Sequence, residues 1–446
     1  MALTDLSYFG LIIICFIVST LPIKYGKVIA VAIANLVVLY SYGKLQLTLA
    51  LLLTVLVGFL ALFAQKKKQS WIIASFVVVG LMALQRTMQT FNIANGFALM
   101  AFSYSGLKAI RYINQVGRGI VKQNNVFLLF DYLFYFPSFL QGPIMDYEQF
   151  YHSLLKDDGF DAVKRREGFM QALIGYALRS IFVLAILPIY QDIFANSSCY
   201  QVSVKVIALL TYCVILYLDW DAYSNIVVGC SKFIGIEISE NFKAPLMAKD
   251  GQDFWRRWHI SLSTFLKDFV YIPLGGSHCS KKRSYLNNVI TFAVCGLWHG
   301  VNVLYLAWGI VNGIAVVIAR FGKTVSSKLL STLIGQLSKV IILIALSVYG
   351  FTSLPTYLNF LNTLFVSGSK GIVGLLTFNQ WIVYTIFILL YGLLDWCRYH
   401  FDAFASMSRW FYIFRILLYC ALIVCIMIFG VYGPGYEASH FIYEIF

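Results

Sequence analysis

Two Trp-His pairs are the residues of this chain best suited to chemistry. The first lies in "FWRRWHISLSTFLKDFVYIPLGG", residues 254–276, and the second in "GLWHGVN", residues 296–302. Histidine is the side chain whose unperturbed pKa lies nearest neutrality, so it takes or gives a proton under physiological conditions. His299 stands in a stretch with no charged residue from Asn287 to Ala319. An ionisable group among so many apolar neighbours is costly unless it faces a cavity or a partner, which marks His299 as a candidate catalytic base. Gly296 and Gly300 flank it, leaving room for a substrate or for a second helix. The plainer alternative is an imidazole bonded to a backbone carbonyl, filling space between helices. Trp298 is the adjoining support.

Residues 253–272 read as one amphipathic helix. Phe254, Trp255, Trp258, Leu262, Phe265 and Leu266 recur at helical spacing, with Arg256, Arg257, Lys267 and Asp268 among them. Two readings fit. In one, the helix lies at the membrane interface with its arginines on lipid phosphates. In the other, Arg256, Arg257, Lys267 and Trp258 line a cytoplasmic mouth and bind a polyanionic donor, because the guanidinium fork suits phosphate. His259 then either packs between helices or lines the active cavity. Asp219 and Asp221, in "CVILYLDWDAYSN", end an apolar run; they orient a histidine or an arginine, or they mark a helix end at water. No metal site is expected, since the six histidines are scattered and none stands four positions from another. The nine cysteines show no CxxC spacing and read as small core residues.

What must position these residues follows from composition. Hydrophobic residues make up 60% of the chain and charged residues 12%, and the mean hydropathy is +0.77. That excludes a soluble domain and indicates an all-α, multi-pass membrane protein. The apolar stretches suggest roughly 10 to 12 helical segments, some of them short, tilted or re-entrant. The net charge of +14 is read as cytoplasmic loops, not nucleic-acid binding, because the basic residues lie dispersed between apolar spans. The clusters at Lys24/Lys27, Lys66–Lys68, Lys108–Lys122, Lys281–Arg283 and Arg320–Lys328 can all be cytoplasmic if residues 125–142 enter and leave on one side. The N-terminal segment lacks a basic leader and a small-residue cleavage site, so a retained first span is expected.

The ordered set "SFLQGPIMDYEQF", "LDWDAYSNIVVGCSKFIGIEISENF", "ENFKAPLMAKDGQDFWRRWHISLSTFLKDFVYIPLGGS", "GLWHG" and the closing "HFIYEIF" resembles the membrane-bound O-acyltransferase (MBOAT) family. It looks most like the bacterial polysaccharide O-acetylation branch, which is related to the D-alanyl-lipoteichoic acid transferases. The resemblance implies a ring of tilted and re-entrant helices around a central catalytic tunnel. It implies a single integral-membrane domain over 1–446, with N-terminal spans in 1–100 and a family-like catalytic core in 100–446. His299 matches the family's catalytic histidine and His259 its second one. The implied reaction moves an acyl group, acetyl in this branch, from a cytoplasmic thioester to a hydroxyl of a cell-envelope polysaccharide, directly or through a relay protein. The implied donor is acetyl-coenzyme A or an acyl-carrier-protein thioester, with no permanently bound cofactor. The implied partners are an extracytoplasmic SGNH-type transferase or relay, the polysaccharide, an acyl-carrier protein and membrane lipids, in a bacterial cytoplasmic membrane. Three alternatives stay open: D-alanyl transfer to teichoic acid, a transporter or flippase of a lipid-linked sugar, and a non-catalytic scaffold.

Overall fold

The computed structural model describes residues 6–66, 69–90, 99–122, 124–156, 161–351 and 353–431. Lys67, Lys68 and the closing "HFIYEIF" lie outside them. Among the described residues the architecture is all-helical, with one isolated bridge between Tyr200 and Lys370 and no strand. Eight helices there are long and apolar enough to cross a membrane. Shorter apolar helices at Ser7–Thr20, Gly26–Ser41 and Val126–Ser138 bring the set into the expected range. The long helices turn large apolar side chains outward: Phe76 is 69% exposed and Leu417 60%. Such surfaces are stable against lipid and not against water, so the chain is a multi-pass membrane protein.

The chain divides into two compact units, one formed by Met1–Ala172 with Asn225–Glu240, the other by Leu173–Ser224 with Asn241–Phe446. In the first unit, residues 126–142 do not span. The helix Val126–Leu133 is capped by Asn125 and followed by a single 3-10 turn, Phe136–Ser138. Eight residues rise only about 12 Å, well short of a hydrocarbon core of about 30 Å. Gly142 reverses the chain at φ +134°, where a side chain would be strained. The segment is held by polar bonds: Asn35 donates to Asp131 at 2.9 Å and accepts from the Phe136 amide at 2.8 Å. Lys108, also buried, donates to Ser138 at 3.1 Å. These bonds pair the Asn35 side chain, the Phe136 amide and the Lys108 ammonium with protein partners and not with lipid.

In the second unit, the apolar run 287–319 is not one span. It is a helical hairpin of Lys281–His299 and Val303–Gly322, broken at Gly300–Asn302 and capped by the Asn302 side chain. The two backbones nearly touch. A Cβ at Gly296 would lie 2.1 Å from the Tyr305 carbonyl oxygen, and one at Gly309 would lie 2.2 Å from that of Phe292. Glycine at those positions is what allows the approach. Arg320 closes the open end through Ser284 at 3.0 Å. The basic clusters 281–283 and 320–328 therefore share the base of the hairpin, and His299 stands at its tip.

Candidate active site

His299 is the last residue of its helix, and Gly300 leaves it in extended geometry. The neighbouring turn, Val301 to Val303, is exposed, whereas His299 itself is 3% exposed. Its ring meets Trp298 at 4.8 Å, Trp308 at 5.3 Å and Tyr349 at 5.3 Å between centroids. Two of these contacts are edge-on to within a few degrees, at 88° and 84°, the arrangement that aromatic quadrupoles favour. Gly300 matters here as well. A Cβ there would fall 2.4 Å from the Tyr305 ring, so both flanking glycines serve packing of the protein on itself.

His259 approaches from another segment. The expected single helix over 253–272 is broken into Gly251–Arg257, Ile260–Leu266 and a π-helical turn at Lys267–Tyr271. The break lies at His259, whose φ of +44° is left-handed. A non-glycine residue there costs about 1–3 kcal/mol and persists only where its surroundings impose it. The strand-like segment before the helix does so. Lys243 N–H donates to the Arg257 carbonyl at 2.9 Å, and Ile260 N–H donates to the Asn241 carbonyl at 2.9 Å. The Asn241 side-chain oxygen accepts from the Ser261 amide at 3.1 Å and hydroxyl at 2.9 Å. So fixed, the His259 ring lies 6.4 Å from Trp298 and 6.0 Å from Trp220. The Trp298 indole thus adjoins both histidines. Burial pushes the His259 pKa down to about 3, so this imidazole, outside the long apolar helices, is neutral at physiological pH.

The remaining expected residues separate into two groups. Arg256 and Lys267 are exposed. Arg257 is partly buried, bonded to Asp253 at 3.1 Å and stacked 4.4 Å over the Tyr399 ring. Trp258 departs from the donor-binding role assigned with them. It is 1% exposed and packs between Phe242 at 5.3 Å and Phe254 at 5.2 Å, because the backbone reversal turns it inward. Asp219 and Asp221 do not end a helix, since Val202–Phe233 continues past them. Both orient arginines: Asp219 pairs with Arg179, and Asp221 accepts from Arg398 at 2.7 and 3.1 Å.

Arg398 was missed from sequence, although the signal was present. With Asp395 it forms an i, i+3 charge pair inside the apolar helix Phe378–His400, which is the same anomaly that marked His299. Arg398 also donates to the Phe242 carbonyl at 2.8 Å. Tyr349 carried no signal, since a tyrosine in an apolar run is ordinary core. Two cavities, of about 740 and 250 Å³, are lined by residues other than the two histidines.

Fold and site together define a polytopic helical membrane protein with two buried histidines joined through aromatic rings. The profile of MBOAT, the membrane-bound O-acyltransferase family, matches residues 35–328, and the chain belongs to that family. The match starts well before residue 100, so the N-terminal spans belong to it in part, and it includes both histidines but neither Tyr349 nor Arg398. Among similar proteins, a probable alginate O-acetylase of Pseudomonas fluorescens is 29% identical over 57% of this chain and 52% of its own length. A peptidoglycan O-acetyltransferase of Helicobacter pylori is 41% identical over 25% of this chain and 21% of its own. A teichoic acid D-alanyltransferase of Streptococcus thermophilus is 26% identical over 57% and 66%. The chain spans about half the length of the alginate relatives it matches.

Proposed function

We propose that the chain is an O-acyltransferase that moves an acetyl group from a cytoplasmic thioester to a hydroxyl of a cell-envelope polysaccharide, directly or through an extracytoplasmic relay protein. The observation that carries this reading is the convergence of His299 and His259 on Trp298 from two separate segments. Family membership and the O-acetylating relatives support it.

In this mechanism His299 accepts the proton of the acceptor hydroxyl as its oxygen bonds to the thioester carbonyl carbon. The carbon–sulfur bond then breaks, and the thiolate leaves with the proton returned from the imidazolium. Neutral His259 has one N–H, which serves the developing oxyanion or orients the thioester. Arg256 and Lys267, exposed on the segment that carries His259, draw in the phosphates of acetyl-coenzyme A or of a carrier-protein arm. The His299 ring is closed in by Trp298, Trp308 and Tyr349, next to the exposed turn Val301–Val303. A bacterial cytoplasmic membrane is the location this donor and acceptor require.

The test is radiolabelled acetyl-coenzyme A offered to the purified chain with its extracytoplasmic partner and a polysaccharide acceptor. Covalent label that appears with the wild type and not with His299→Gln supports the reading. Label taken up across vesicles without any ester formed indicates transport instead.

A further inference from the structure

The larger of these two cavities is lined wholly by residues of the first unit, includes neither histidine, and has no part in the proposed acyl transfer. Its volume is about 740 Å³, within the size range of small-molecule sites. It is lined by three parts of the chain, residues 18–28, residues 149–156 with 161–167, and residues 232–238. Six of the lining residues are cationic, Lys24, Lys27, Lys156, Lys164, Arg165 and Lys232, against three carboxylates, Asp161, Glu167 and Glu237.

The walls are fixed. Lys27 Nζ donates to the carbonyls of Ser153 at 2.8 Å, Lys156 at 3.0 Å and Gly235 at 3.2 Å, tying the three segments together. Arg165, itself 6% exposed, donates to Ser19 Oγ at 2.8 Å and to the Phe233 carbonyl at 3.0 Å. Glu167 and Glu237 are each held in an ion pair, with Lys232 and Lys164 respectively. The positive excess of the lining is therefore built into a rigid frame. The rim is apolar: Leu21, Ile23 and Tyr25, at 47%, 53% and 59% exposure, flank Lys24 in the turn between the apolar helices Leu6–Thr20 and Gly26–Ser41.

We propose that this cavity binds a phosphate-bearing anion. Cations and backbone in a pocket between apolar helices recognise phosphate through charge-assisted hydrogen bonds. Two sources carry that group to this place, an anionic phospholipid whose acyl chains lie along the apolar rim, and a soluble phosphorylated metabolite.

The full-length chain, purified in neutral detergent, is examined by native mass spectrometry with added phosphatidylglycerol, and with phosphatidylcholine as the zwitterionic control. Inorganic pyrophosphate is titrated in parallel by calorimetry. Lys24→Glu with Lys156→Glu reverses the charge of two exposed lining residues, and the unfolding temperature of this variant is measured alongside. Lys281→Glu with Lys282→Glu makes the same charge change in the other unit. Selective retention of phosphatidylglycerol, reduced at least tenfold by the first pair and unchanged by the second, supports a lipid ligand. Pyrophosphate binding with the same dependence, and no lipid preference, supports a soluble one. Binding of neither probe, or binding that the cavity pair leaves intact or that both pairs weaken equally, overturns the proposal. These readouts are independent of acyl transfer.

Discussion

Arg398 holds Asp221 through two hydrogen bonds, 2.7 and 3.1 Å long, across 177 positions of sequence. The same guanidinium donates to the Phe242 carbonyl at 2.8 Å, and Phe242 packs 6.1 Å from the His259 ring. A buried ion pair in the apolar interior thus anchors the segment that imposes the left-handed turn at His259. Tyr217, bonded to Asp395 at 2.8 Å, and Tyr391, bonded to Asp221, complete the network.

Removing one member of such a pair leaves the other charge buried. Arg398→Ala and Asp221→Ala should each destabilise the protein by about 3–5 kcal/mol. The double variant should cost less than the sum, because the Arg398–Asp221 pairing is then lost only once, although Asp395 stays buried without Arg398. Thermal unfolding in detergent measures this, and full additivity would show that the two residues act separately.

His299→Gln keeps most of the side-chain volume and removes the basic nitrogen. If the imidazole is the general base, transfer should fall about 10²–10⁴-fold while the unfolding temperature stays close to that of the wild type. More than a tenth of the wild-type rate, in protein that inserts normally, would assign the base elsewhere.

Neutralising Arg256 and Lys267 together should raise the apparent KM for the thioester donor with less effect on kcat, since both act on binding and not on the reacting carbonyl. Arg257 is expected to behave differently. Its bond to Asp253 and its stacking on Tyr399 make Arg257→Ala chiefly a stability variant. Donor titrations of the two proteins compare these effects directly.

The depressed pKa of His259 has a sign that can be checked. Its folded value, about 3, lies below the ordinary 6.5 of the unfolded chain, so the unfolded state takes up the proton first as pH falls. Stability from this residue is complete above pH 6.5 and is lost as pH drops from 6.5 toward 3, by about 1.4 kcal/mol per unit. The stability gap between wild type and His259→Gln should therefore narrow from pH 7.5 to pH 5. A gap that widens would contradict burial of the neutral form.

Gly309→Ala would drive a methyl group into the Phe292 carbonyl, 2.2 Å away, and should prevent the hairpin from closing. Gly300→Ala meets the Tyr305 ring at 2.4 Å and, less closely, the Asn302 side-chain nitrogen at 3.3 Å, both of them side-chain atoms. Its defect should be relieved by Tyr305→Ala, as read by unfolding temperature, while Gly309→Ala should not be relieved by any side-chain truncation.

Amino-acid order alone determined the class and marked the chemistry. Long apolar runs require helices in lipid, because no other structure satisfies an isolated backbone there, and a lone histidine in such a run stands out by its cost. What order could not give was how the residues meet. The break at Gly300, the reversal at His259 and the inward turn of Trp258 depend on contacts with Tyr305, Asn241 and Phe242, which no local pattern encodes. Partner choice is likewise a long-range matter. Asp221 selects Arg398 and not a histidine because both are buried within bonding reach, and in an apolar interior each charge is stable only beside the other.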